Sequence, residues 1–180
     1  MTRYIAFLRG INVGGHRVRM AHLRELFEEL GFENVSSFIA SGNVSFTADT
    51  SASEEVRQRI EAHLGTRLGY DVPVFLRTPA ELAEVTAFRV PGEATQGTSD
   101  PAHYVIFLHE EVTPALRSAL ADLESETDRF HFAATEVHWL VQGKLSESPL
   151  FGTGIERATK GFRTTMRNLN TLRRIAAREA

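Results

Sequence analysis

Residues 89–102 read RVPGEATQGTSDPA, a stretch rich in proline, glycine, serine and threonine that has neither helical nor strand periodicity. Such a composition is typical of a linker. The segments on either side of it show the same order of predicted elements: strand, helix, strand, strand, helix, strand. We therefore predict an N-terminal unit at residues 1–90, a linker at 91–102 and a C-terminal unit at 103–180.

The first half contains four strand-like runs and two helical patterns that separate them. The strand-like runs are YIAFL (4–8), VSSFIA (35–40), VSFTA (44–48) and VPVFL (72–76). The helical patterns are the apolar stripe from Met20 to Leu30 and the stripe formed by Val56, Ile60 and Leu64. The two middle runs predict a hairpin, and the proline of the last run places that strand at a sheet edge. The sequence TPAE from Thr78 is a capping box that starts a further short helix.

The second half repeats this order and adds a C-terminal helix. Its segments are HYVIFL (103–108), a helix opened by Thr113-Pro114, RFHFA (129–133), VHWLV (137–141), a helix near 150–159, an extended piece near 162–165, and a helix with Leu169, Leu172 and Ile175. The order predicts an α+β protein of two tandem ferredoxin-like (βαββαβ) units with an additional C-terminal helix. A single mixed sheet is the alternative.

Composition narrows the class of protein. The chain has 180 residues, a formal net charge of −3 and no cysteine. The absence of cysteine excludes disulfides, thiolate catalysis and cysteine-ligated zinc. The weak negative charge argues against general attraction to nucleic acid or anionic membranes. There is no signal-peptide layout and no apolar run of membrane-spanning length, so we expect a cytoplasmic protein with no membrane partner.

The loop RGINVGGHR, at residues 9–17, is the first candidate binding site. In a ferredoxin-like unit the first and third strands are adjacent and antiparallel, so this loop and the turn at 41–43 meet at one sheet edge. The N-terminus of the first helix, with its positive dipole end, lies at that edge too and favours an anion. The predicted ligand-binding residues are Arg9, Asn12, Gly14, Gly15, Ser41, Gly42 and Asn43.

The loop also has a purely conformational interpretation. GINVGG matches neither the dinucleotide-binding pattern nor the Walker pattern, so no nucleotide cofactor is expected. Glycines supply the positive φ angles of a tight connection, and Gly42 with Asn43 is a typical hairpin turn. From the residues alone, turn formation and anion binding both remain open.

A second candidate site lies in the run TTMRNLNT at 164–171. Asn168 or Thr165 can cap the last helix, whereas Arg167 at a helix start is unfavourable unless an anion or a carboxylate faces it. We expect Arg167 and Asn168 to close the site at 9–17 if the two halves face each other. Alternatively, the basic C-terminal helix binds nucleic acid or a protein through Arg163, Arg167, Arg173, Arg174 and Arg178.

The remaining polar residues give no catalytic motif. In the second hairpin His131 is expected opposite His138, but no third ligand at a recognisable spacing completes a metal site. There is no GxSxG nucleophile and no evident pair of acidic groups. An enzyme acting on a phosphorylated small molecule is a further hypothesis, for which the sequence offers no general base. No metal, no cofactor and no catalytic residue are predicted.

Four motifs carry a resemblance to a known family. RGINVGG (9–15), LGF at a helix end (30–32), SGNVSF (41–46) and RNLNT (167–171) resemble the bacterial domain-of-unknown-function family numbered sixteen ninety-seven. The resemblance implies a two-part α+β fold of ferredoxin-like character and no established activity. The usual terminal motif of that family looks like TTRNWNT, whereas this chain has Met166 for the second threonine and Leu169 for the tryptophan. A pocket formed by that tryptophan would therefore differ here.

Overall fold

The chain forms two compact units in a computed structural model. The model describes residues 1–39, 42–89 and 101–180. The first unit comprises residues 1–85 together with 175–180, and the second comprises residues 86–174. Most of the predicted linker at 91–102, namely 91–100, lies outside the described residues, so the predicted domain boundaries stay a prediction.

The first part of the chain forms a four-stranded antiparallel sheet with the strand order β2-β3-β1-β4. Its elements are β1 (Thr2–Leu8), α1 (Met20–Glu28), β2 (Glu33–Ser37), β3 (Asn43–Ala48), α2 (Ser53–Leu68), β4 (Val74–Arg77) and α3 (Pro79–Ala87). β1 and β3 are antiparallel neighbours, as the topology requires. β4 is an edge strand, as its preceding proline predicts.

The core of this unit lies between one face of the sheet and the helices α1 and α2. Alternate residues of β1 and β3 point into it, because side chains on a strand change face at each position. Both helices contribute residues at helical spacing. The main members are Tyr4, Ala6, Leu8, Leu23, Leu26, Phe27, Val44, Phe46, Ala48, Val56, Ile60 and Leu64, all nearly inaccessible to solvent.

The second part forms another antiparallel sheet with the equivalent strand order β6-β7-β5-β8. Its elements are β5 (Ala102–Leu108), α4 (Pro114–Ala121), β6 (Asp128–Phe132), β7 (Glu136–Val141), a 3-10 turn (Leu145–Glu147), α5 (Thr153–Ala158), β8 (Thr164–Asn168) and α6 (Leu169–Glu179). The described residues thus form a mixed α+β protein with two separate sheets and six α-helices. The alternative of a single mixed sheet is wrong.

Local signals in the sequence explain where several elements begin. Thr78 N donates to Glu81 Oε2 at 2.7 Å and Glu81 N donates to Thr78 Oγ1 at 3.3 Å, which confirms the capping box of α3. Thr113 Oγ1 accepts a hydrogen bond from Leu116 N and caps α4. Among the described residues, no helix has the length and apolar character that a membrane crossing requires.

Candidate functional site

The glycine loop, residues 9–19, packs against the hairpin turn that precedes β3. Leu8 N donates to Gly42 O at 2.8 Å. A Cβ at Gly42 would lie 3.1 Å from the Cβ atoms of both Leu8 and Ile11, so the turn approaches the loop closely enough to exclude a side chain. The two segments therefore meet at one edge of the sheet, where the topology predicts them. Ser41, also predicted for this site, lies outside the described residues.

Asn12 and Asn43 shape the loop and the turn with their side chains. Asn12 has a left-handed φ of 58°, and its Oδ1 accepts a hydrogen bond of 2.8 Å from Val18 N. Asn43 is buried, with 1% of its surface exposed, and its Nδ2 donates to Phe38 O at 3.1 Å. Both amides thus stabilise the backbone of the segments in which they lie.

The backbone conformation explains the glycines of the loop. Gly14 and Gly15 have φ angles of 59° and 90°, and a Cβ at either position would meet no atom within 4 Å. Left-handed φ rather than close contact therefore favours glycine here. The conformational interpretation accounts for these residues, so any binding function has to be argued from the charges around them.

His16 fixes the middle of the loop against the segment after α2. Its ring stacks on that of Tyr70 with the two centroids 3.7 Å apart. The Tyr70 hydroxyl is buried and has no hydrogen-bond partner among the described residues. Burial raises the pKa of Tyr70. Nothing in the local pattern indicated this contact, because the two residues are far apart in the sequence.

The C-terminal end of the loop concentrates positive charge. Arg17 and Arg19 are exposed on either side of the buried Val18. Arg19 occupies the N-cap position of α1, makes no side-chain cap, and is followed by a first turn without an acidic residue. Neither arginine forms a hydrogen bond or an ion pair through its side chain with any residue the structure describes. Arg9, at the other end of the loop, is exposed as well.

The other helices of eight or more residues begin with a side-chain cap or with acidic residues in the first turn, which interact favourably with the free N–H groups of the helix. Thr78 caps α3 and Thr113 caps α4. Two glutamates lie in the first turn of α2, and Asn168 Oδ1 accepts a hydrogen bond of 2.8 Å from Asn170 N at the start of α6. The N-terminus of α1, where Arg17 and Arg19 lie, therefore lacks the side-chain cap or acidic first turn that each of these helices has.

Arg167 and Asn168 belong to the second unit. Arg167 lies on β8, where Nη1 donates to Thr165 Oγ1 and to Met166 O, both at 2.9 Å. Burial lowers the pKa of Arg167 to about 10. Asn168 caps α6, as predicted, whereas Thr165 lies within the strand. The prediction that Arg167 and Asn168 close the glycine-loop site of the first unit stays a prediction.

The basic C-terminal residues differ in their surroundings. Arg167 is half-buried, and the guanidinium of Arg178 packs over the ring of Phe38 at 5.3 Å. Arg163, Arg173, Arg174 and Arg178 are exposed. The expectation that these residues bind nucleic acid or a protein stays a prediction.

A buried polar network in the second unit is absent from the sequence predictions. The Asp128 carboxylate is fully inaccessible. Its Oδ1 accepts hydrogen bonds from Trp139 Nε1 at 2.8 Å and Ser148 Oγ at 2.7 Å, and its Oδ2 accepts one from Thr127 Oγ1 at 2.8 Å. Trp139 and Ser148 are 11 and 20 residues away from Asp128 in the sequence, so no local motif indicates this network. The network joins β6, β7 and the segment before α5, which is a structural role.

Histidines form the other unusual cluster. His131 lies opposite His138 in the β6–β7 register, as predicted. His103 joins them, with Nε2 2.8 Å from His138 Nδ1. Desolvation by burial is the main reason that the pKa of each member of this pair is lowered to about 4. No group of three or more histidine, cysteine, aspartate or glutamate residues in the described part of the chain is arranged to hold a metal ion.

The fold and the site define an α+β protein with two antiparallel four-stranded sheets and a cationic glycine loop at the edge of the first. Residues 1–138 match the family model described as Protein of unknown function (DUF1697), and the chain belongs to this family. This confirms the family predicted from the sequence. The conserved bacterial protein SP0830 from Streptococcus pneumoniae has a similar fold, with a TM-score of 0.74, 24% identity, and coverage of 99% of this chain and 98% of the other. None of the curated proteins matches this chain.

Proposed function

We propose that the first unit binds a small anionic, phosphate-bearing ligand at the C-terminal end of the glycine loop. The observation that carries this proposal is the N-terminus of α1, where Arg17 and Arg19 precede a first turn that has neither a side-chain cap nor an acidic residue. The first N–H groups of a helix have no partner within the helix and carry partial positive charge. A phosphate supplies both the acceptor oxygens and the negative charge that this position lacks.

The residues around this position have different roles in the proposed binding. Arg17 and Arg19 donate charge-assisted hydrogen bonds to the phosphate, and Arg9 adds positive potential from the other end of the loop. Asn12 and Asn43 hold the loop and the turn in the shape that presents those groups. Gly14 and Gly15 leave the backbone beside the ligand uncovered.

We also infer that each unit has the ferredoxin-like βαββαβ fold. Both sheets have the edge-to-edge order in which the second, third, first and fourth strands of the unit follow one another. In both, the helices lie after the first and third strands of the unit. The helices α3 and α6, each of which follows the fourth strand of one repeat, are then additions to the βαββαβ pattern.

A ligand titration with matched charge variants tests the binding proposal. The full chain, labelled with ¹⁵N, is titrated with inorganic phosphate, glucose 6-phosphate and AMP at low salt, and amide shifts are followed. The double variant Arg17→Gln/Arg19→Gln removes the two proposed phosphate donors. The control Arg129→Gln/Arg157→Gln removes the same charge from exposed positions in the second unit.

We expect saturable shifts at the first turn of α1 for at least one phosphate compound. Affinity should fall at least about tenfold in the Arg17/Arg19 variant, because each charge-assisted hydrogen bond contributes about 1.5–3 kcal/mol. The control should bind as the unaltered chain does. Equal weakening in both variants would mean that only net charge matters, and no shift at α1 with any compound would refute the proposal.

A further inference from the structure

One face of the second sheet carries a histidine on each of three adjacent strands. His131 on β6 is directly opposite His138 on β7. Val105 on β5 is the other cross-strand partner of His138, which places His103, two residues earlier, on the same face and diagonal to His138. The closest approach is the hydrogen bond of 2.8 Å between His103 Nε2 and His138 Nδ1. We call these three residues the histidine face.

A single aromatic ring covers the histidine face. Phe88 stacks on His138 with the ring centroids 3.9 Å apart and an interplanar angle of 17°. The same ring is 5.9 Å from the His131 ring and 6.2 Å from the His103 ring. His138 consequently has only 1% of its surface exposed. Phe88 thus touches the whole cluster.

The hydrogen bond between the two imidazoles tolerates only some protonation states. One of the facing nitrogens has to accept, so at least one ring is neutral on that side. If both rings are protonated, two N–H groups face each other across 2.8 Å and the bond cannot persist. Such a contact would also place two positive charges side by side in a desolvated site, which is costly.

The neighbouring charged groups add to this cost. Arg173 on α6 and His131 act on His103, and His131 acts on His138, all in the direction that opposes protonation. Among the residues that the structure describes, none of the groups named for this pair is a carboxylate. Burial and the like charges together lower the pKa of each histidine in the pair from 6.5 to about 4.

We propose that the histidine face is a proton-operated clasp, which holds Phe88 while His103 and His138 share their hydrogen bond and releases it when both are protonated. The clasp is a conformational device of the second unit and is independent of the anion site. Release frees Phe88 from the sheet while the opposite face, which contains Trp139 and its core neighbours, keeps its packing.

The ratio of open to closed clasp is expected to depend steeply on pH. A histidine released to solvent has a pKa near 6.5, whereas in the closed clasp the pair resists protonation down to about pH 4. Two protons are taken up on opening, so the ratio of open to closed clasp rises up to about 100-fold for each pH unit between these limits.

Imidazole NMR on the full chain tests the proposal. The ring protons of His138 lie under the Phe88 ring and are therefore shifted upfield while the clasp is closed. On acidification from pH 7.5 to 3.5, we expect His103 and His138 to titrate together and the upfield shift to disappear at the same midpoint. Near-UV circular dichroism of Trp139, the single tryptophan, should stay native through that midpoint.

Two variants separate the clasp from general acid unfolding. His103→Gln keeps a donor for His138 Nδ1 and removes one titrating group, so one proton instead of two should be taken up on opening. The slope, which is the change in the ratio of open to closed clasp with pH, should then fall from about 100-fold to about tenfold per pH unit. The exposed His22→Gln should leave the slope unchanged. A slope of two protons in His103→Gln, a stacked Phe88 after both histidines are charged, or loss of the Trp139 signal at the same midpoint would each overturn the proposal.

Discussion

Replacing Asp128 with alanine should destabilise the second unit more than most single substitutions, because the carboxylate is the common acceptor of a buried network. Its Oδ1 binds both the indole N–H of Trp139 and the hydroxyl of Ser148. These two donors are buried, with exposures of 1% and 8% for their residues. In the alanine variant neither has an acceptor. Thr127, on the Oδ2 side, is exposed and can bond to water instead.

The size of the effect follows from the two orphaned donors. A buried donor that loses its acceptor costs about 1–3 kcal/mol, so the pair is expected to cost about 3–4 kcal/mol. Asp128→Asn is the matched control, because its amide oxygen can replace Oδ1 as acceptor for both donors. The amide NH₂ then faces the Thr127 hydroxyl, which can rotate to accept. The loss of charge leaves a cost of about 1–2 kcal/mol.

Urea denaturation followed by Trp139 emission measures both variants, because the only tryptophan of the chain belongs to the network itself. With an m value of about 2 kcal/mol per molar urea, Asp128→Ala should lower the midpoint by about 1.5–2 M. Asp128→Asn should lower it by about 0.5–1 M. If both variants lose the same stability, the charge rather than the hydrogen-bond acceptor is essential, and a loss below about 1 kcal/mol in the alanine variant refutes the reasoning altogether.

Three further predictions use thermal or urea denaturation. Gly42→Ala should be strongly destabilising, since the φ of Gly42 is 70° and an added Cβ would lie 3.1 Å from core side chains. Gly69→Ala, at a φ of 81° in open space, should lower the free energy of unfolding by only about 1–2 kcal/mol. Equal losses in the two variants would contradict the packing argument. Thr78→Ala should cost about 1 kcal/mol and Thr78→Ser very little, and a costly serine would show that the cap is not the cause. The free energy of unfolding should be highest above pH 6.5 and fall towards pH 4, because the pKa values of His103 and His138 are near 6.5 in the unfolded chain and about 4 in the folded one. A variant that lacks both histidines should lose less stability over this range. An unchanged loss would count against these two groups as its cause.

The sequence was informative wherever the structure depends on residues close together in the chain. The order of strands and helices is visible in the periodicity of apolar residues, and the proline before β4 indicates an edge strand. The register of the second hairpin follows from a short turn, which is why His131 and His138 were placed opposite each other correctly. The caps at Thr78 and Thr113 are local motifs of the same kind.

Interactions between distant segments could not be found in this way. His103 is 35 residues from its partner His138, and Ser148 is 20 residues from Asp128. Neither pair has a characteristic spacing, because the contact depends on which strands become neighbours and on the direction of each side chain. The grouping of residues 175–180 with the first unit is of the same kind, since helical periodicity does not say against which sheet a helix packs.

The glycine loop shows why residue type alone could not separate a turn from a binding site. Both interpretations require glycine, one for left-handed backbone and the other for an uncovered approach to a ligand. The φ angles of Gly14 and Gly15 satisfy the first requirement whether or not a ligand binds. The distinction therefore rests on residues that turn formation does not need. A tight connection explains Asn12 and Asn43, but it does not explain two exposed arginines before an uncapped helix, and the substitutions Arg17→Gln and Arg19→Gln should consequently affect phosphate binding without affecting the fold.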